Sequence, residues 1–64
     1  MTYLEILSWA RKGLAAEKAK WREMQERAAE GGASTIVRGA QEQIDDIEVK
    51  EATLDEIEEL HNRK

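Results

Sequence analysis

The sequence predicts an all-α fold, an antiparallel two-helix hairpin that dimerises, most simply into a four-helix bundle. Three observations predict it. Apolar residues recur at alternating steps of four and three along the first half, at Tyr3, Leu7, Ala10, Leu14, Trp21, Met24 and Ala28, with Glu17 filling the one gap. That spacing draws a seam along one side of a long helix, as in coiled coils and bundles. A glycine pair, Gly31-Gly32, sits at the middle of the chain. A connection this short makes the flanking helices antiparallel neighbours. The composition has no proline and no phenylalanine, with 38% of residues charged, which suits helices and disfavours a sheet.

The first helix is expected over about residues 3–30. Thr2-x-x-Glu5 is a capping box: the threonine hydroxyl can accept from the amide three residues on, and Glu5 can reach back. Gly31 or Gly32 can take the left-handed conformation that closes a helix. Residues 31–34 form the turn, and Ser34 is placed to cap the next helix.

The second helix is expected over about residues 35–61. Its apolar series is Val37, Ala40, Ile44, Ile47, Leu54, Ile57 and His61. Folding back at Gly32 sets Ala28 against Val37, Met24 against Ala40 and Trp21 against Ile44. It continues with Glu17 and Ile47, Leu14 and Glu51, Ala10 and Leu54, Leu7 and Ile57, and Tyr3 and His61. Seam meets seam along the whole length, as a packed core requires. Thr53-x-x-Glu56 is a second capping-box match, where a short third helix can start. No Gly or Pro marks a break there, so one continuous helix is the expectation.

Charge supports the same register. The net charge is −4, and the halves differ: residues 1–33 hold six Lys/Arg and five Glu, while residues 34–64 hold four Lys/Arg and nine Asp/Glu. The register sets Arg11, Lys12, Lys18, Lys20 and Arg22 opposite Glu42, Asp45, Asp46, Glu48 and Glu51. Such pairs select register more than they stabilise, since an exposed pair contributes only ~0–1 kcal/mol.

A chain of 64 residues forms a single domain that buries little surface by itself. It has no cysteine, which excludes disulfides and thiolate metal sites, and its one histidine leaves little for zinc. Oligomerisation is the remaining support. Leu4, Ile6, Trp9, Ile36, Val49 and Leu60 lie off the seam, and Gly13, Ala15, Ala16 and Ala19 give the first helix a surface where another helix can come close. These features predict a homodimer. No stretch approaches the ~18 apolar residues of a membrane span. No basic segment precedes an apolar run, so no signal peptide is expected. The expected location is the cytoplasm of a bacterium or of a phage-infected host cell.

Few constellations suggest chemistry. Glu58-x-x-His61 places a carboxylate and an imidazole on one helix face, half of a ferritin-like metal site. The facing residues, Tyr3, Ile6 and Leu7, offer no carboxylate, so His61 stacked on Tyr3 is the preferred reading. Ser8 and Ser34 lack a His/acid relay, and Gly31-Gly32 lacks the Lys-Ser/Thr of a phosphate loop. No enzyme activity, metal or cofactor is expected. Arg11, Lys12, Lys18, Lys20 and Arg22, with Trp9 and Trp21 as stacking platforms, could grip phosphates. Interleaved Glu17 and Glu23 and the acidic second half weaken that field, so nucleic acid is disfavoured.

Two candidate binding features remain. Trp9 is a large aromatic off the seam, suited to anchor an interface. Asp45, Asp46, Glu48, Glu51, Asp55, Glu56 and Glu59 line the second helix, where carboxylates can occupy a basic channel on another protein.

The opening Tyr3-Leu4-Glu5-Ile6-Leu7-x-x-Ala10-x-x-Gly13-Leu14 resembles the start of short helical proteins encoded by phages and prophages of Gram-positive bacteria. Small acidic, cysteine-free proteins of that kind include inhibitors of host defence such as anti-CRISPR proteins. The resemblance implies a non-enzymatic inhibitor that docks on a basic host protein, and carries over no site residues. A purely structural, self-assembling bundle is the alternative expectation.

Overall fold

The chain enters its first helix through Thr2, whose hydroxyl accepts the Glu5 amide at 3.2 Å while its backbone stays extended. This is the forward half of the capping box. The computed structural model describes residues 2–63, in two helices, α1 (Tyr3–Glu30) and α2 (Ser34–Asn62).

The glycine pair stops α1 as expected. Gly32 takes the left-handed conformation with φ 74°. The Gly32 amide donates to the Ala29 carbonyl at 3.2 Å and the Ala33 amide to the Ala28 carbonyl at 2.9 Å, the bond pattern of a Schellman stop. Ser34 does not cap α2. The cap position falls on Ala33, which has no capping side chain, and Ser34 is already the first helical residue. The Ala33 carbonyl accepts from both Ile36 and Val37 at 3.1 Å, so the new helix begins one residue sooner than the serine suggested.

The second capping-box match starts no third helix. α2 runs unbroken through Ala52, and the Thr53 hydroxyl donates to the Val49 carbonyl one turn back at 3.0 Å. A threonine engaged in this way continues a helix instead of capping a new one.

The helices lie antiparallel. Going up α1, Tyr3 meets His61, Arg11 meets Asp55 and Glu58, Lys18 meets Glu51, and Gln25 meets Gln41. The residues buried between them are Leu7, Ala40, Ile44 and Ile47, with Leu14, Trp21, Ala28, Val37 and Leu54 half-buried alongside.

One side of the expected seam is corrected. Glu17 and Met24 are exposed, as are Ile57 and His61 at the far end of α2. Arg11, Lys18 and Gln25 hold the half-buried flanking positions instead, facing half-buried Glu51 and Glu58. At the rim of a two-helix hairpin Met24 could be only partly covered in any orientation. Long polar side chains there can lay their stems along the seam and still bond across it with their heads.

The molecule is 50 × 18 × 10 Å, two helices wide and one thick. Its radius of gyration, 14.9 Å, exceeds the roughly 11 Å of a compact chain of this length. Among the described residues no helix is long and apolar enough to cross a membrane.

Candidate functional site

Arg11, Lys18 and Gln25 are seven residues apart, so they rise along one flank of α1, beside Leu14 and Trp21. Each reaches α2. Lys18 Nζ donates to Glu51 Oε1 at 2.6 Å, with side chains only 21% and 27% exposed. Arg11 forks, giving one guanidinium nitrogen to Asp55 and the other to Glu58. The Asp55 hydrogen bond is the main cause that raises the Arg11 pKa above its ordinary value, and the nearby carboxylate charges add to it against partial desolvation. Gln25 donates to the Val37 carbonyl at 3.2 Å and to Gln41 at 2.9 Å, and Gln41 passes the chain on to Asp45 at 2.8 Å. This flank is latched from Arg11 to Gln25.

Among the described residues the opposite flank has no such latches between the helices. Helical spacing puts Tyr3, Ile6, Ala10, Gly13, Glu17 and Lys20 on that side of α1. α2 contributes Asp46, Lys50, Thr53, Ile57 and Leu60. A groove of about 460 Å³ opens between Ala10, Gly13 and Leu14 on one helix and Lys50, Thr53 and Leu54 on the other. A smaller recess nearer the chain ends is lined by Tyr3, Ile57, Leu60 and His61. Ile6 and Leu60 are 52% and 62% exposed. Tyr3 and His61 stack at 4.3 Å between ring centroids, as the register predicts.

The candidate binding residues are divided among several surroundings. Glu51 is held half-buried by Lys18, and Asp55, 68% exposed at its side chain, is engaged by Arg11 on one side. Asp46 pairs with Lys50 at 3.1 Å and Glu59 with Arg63 at 3.1 Å, each one turn along α2. Asp45 accepts from Gln41, while Glu48 and Glu56 are exposed. By helical position Asp45, Glu48, Asp55 and Glu59 form one stripe beside the latched flank. Asp46 falls on the open flank and Glu56 on the outer face of α2, so the acidic run is not one surface. Trp9 is 63% exposed, one turn before Gly13 and one after Ile6.

Charge pattern set Arg11 and Lys18 opposite the acidic window, and Lys18 does meet Glu51. What the apolar periodicity missed is that these two and Gln25 are half-buried seam positions, and that Asp55 and Glu58 are the partners of Arg11. The signal was present: three long polar side chains at heptad spacing stand opposite acids and an amide on the other helix. Among the described residues no three His, Cys, Asp or Glu gather as a metal cluster. Glu58 is engaged by Arg11 and His61 by Tyr3, so the Glu58-x-x-His61 pair is committed to the hairpin.

The fold defined by these features is an antiparallel α-hairpin with one polar, closed flank and one open flank that mixes apolar side chains with the charges of Glu17, Lys20, Asp46 and Lys50. The chain matches no protein-family model, no curated protein and no solved structure.

Proposed function

We propose that the protein is a non-enzymatic, protein-binding module that works as a homodimer, two hairpins forming a four-helix bundle. One observation carries this reading: the exposed surface is 4989 Å², against roughly 4,200 Å² for a compact chain of 7.3 kDa. Large apolar side chains belong to that surface, with Leu4, Ile6, Trp9, Ile36, Val49 and Leu60 each more than half exposed. A monomer rarely leaves so much apolar surface in water.

A bundle built this way keeps its second function on the outside. The stripe of Asp45, Glu48, Asp55 and Glu59 remains available to a basic surface on another protein, and charge complementarity would speed and orient that encounter. With the phage-like opening of α1, the most concrete form is an inhibitor that covers a basic surface of a host defence protein. The alternative is a structural module whose only partner is itself.

Sedimentation or light scattering over a concentration series tests the dimer, and a folded monomer at tens of micromolar would end this reading. The outward function is tested with Asp45→Lys/Glu48→Lys as bait beside the wild type. A basic protein retained by the wild type and lost by the variant supports the inhibitor, equal capture removes the acidic stripe as the docking surface, and capture by neither leaves the self-assembling module.

A further inference from the structure

The open flank presents exposed apolar and charged side chains from both helices. We propose that two hairpins pair about a two-fold axis along their length, with α1 of each copy lying antiparallel against α2 of the other. This rests on the homodimer reading above and adds the face, the symmetry and the register.

Area favours a second copy as the occupant. The one-layer chain exposes about 800 Å² more than a compact chain of its mass, an excess comparable to what each partner buries in an interface of ordinary size. The flank is also complementary to itself. A two-fold axis along the hairpin keeps every residue at its own level, so the matches follow from those inside one chain. Tyr3 lies level with His61, and Ala10 with Leu54. Ile6 then meets Ile57 and Leu60 of the second copy. Gly13 faces Thr53 of the second copy across the apolar groove, and a Cβ added at Gly13 would meet nothing within 4 Å in a single chain.

Charge completes the match in the middle of the flank. Glu17 and Lys20 on α1 are exposed, and Asp46 and Lys50 on α2 are 59% and 60% exposed at their side chains. Across the axis Glu17 meets Lys50 of the second copy, and Lys20 meets Asp46 of the second copy. The offset along the helices resembles that of the Arg11 and Lys18 bonds within one chain. Pairing α1 with α1 instead would set Ile6 against Arg27. Trp9 lies at the rim of the proposed contact, over Ile57 and Leu60 of the second copy.

Two variants of unchanged net charge test this register. E17K/K20E and D46K/K50E each place like charges opposite one another at four points of the homodimer. Each should raise the homodimer dissociation constant about tenfold, given the modest strength of exposed pairs. Mixing the two variants restores opposite charges at all four points, but only between chains, because each chain still carries like charges within itself. Native mass spectrometry on the mixture should show the heterodimer well above its statistical share, with helicity rising on mixing if either variant alone is partly unfolded. A dimeric wild type whose variants dimerise as tightly as it does, or mix statistically, overturns the proposed face and register while leaving the homodimer standing. A monomeric wild type overturns both.

Discussion

The two flanks of this hairpin solve the same problem in different ways. On one, Arg11, Lys18 and Gln25 reach across the seam and find Asp55, Glu58, Glu51 and Gln41 within the chain. On the other, Tyr3, Ile6, Ile57 and Leu60 stay in water. Polar side chains can be satisfied by a partner helix of the same chain, because a bond needs one acceptor. Apolar side chains at the edge of a two-helix layer cannot, because covering them needs a further layer. The closed flank therefore fixes how α1 and α2 lie, and the open flank leaves apolar side chains that no part of the hairpin covers.

Substitutions can separate these roles. Ile44 lies between the flanks, 2% exposed, and both depend on it. Ile44→Ala should cost about 2–3 kcal/mol, toward the low end for a buried isoleucine because the thin hairpin can partly collapse. Denaturation followed by circular dichroism should show this loss, and a loss below about 0.5 kcal/mol would mean that the helices are not held through this layer.

The closed flank should respond more weakly and in a diagnostic pattern. Lys18→Met removes a cation and strands Glu51 half-buried, at a cost of about 1 kcal/mol after allowance for solvent screening. Adding Glu51→Leu should recover most of that loss, because an apolar pair of similar shape replaces a half-buried ion pair at little cost. If the double variant were as unstable as the single one, the bond would not be the reason these residues meet.

Much of this architecture was legible in the sequence, and the misreadings share a cause. The a-type set Leu7, Leu14, Trp21 and Ala28 was legible because apolar residues recur every seven positions. The turn was legible because Gly32 needs a positive φ that few other residues tolerate. The Tyr3 and His61 stack followed from fold-back at that turn. The second half of the seam did not. Apolar periodicity favoured Met24 and allowed Glu17, whereas the helices rotated to let Arg11, Lys18 and Gln25 bond across. Which polar residues lie inward depends on acceptors in the other helix, and that information is nonlocal. Ser34 misled for a local reason, since the Schellman turn had already oriented the Ala33 carbonyl for the first bond of α2. The acidic run read as one face because consecutive carboxylates share a sequence window. At 100° per residue Asp45 and Asp46 point to different flanks, and the structure gives them different partners, Gln41 and Lys50.

The glycines give the smallest and most discriminating comparison. Gly32→Ala must force an alanine to the φ of 74° that stops α1, at a cost of about 1 kcal/mol at any protein concentration. Gly13 has ordinary helical geometry, and an added Cβ there would touch nothing in the single hairpin. Gly13→Ala should therefore stabilise the dissociated chain by about 0.5–1 kcal/mol, through helix propensity alone. The same methyl stands in the groove of the open flank, so its effect depends on what fills that groove. Thermal unfolding at sub-micromolar and at hundred-micromolar concentration separates the two contributions. A gain that shrinks or reverses as concentration rises means that a helix of another molecule comes close at Gly13. A gain that stays constant means that this stretch of α1 faces water at both concentrations, and the contact proposed between Gly13 and Thr53 of a second copy is absent.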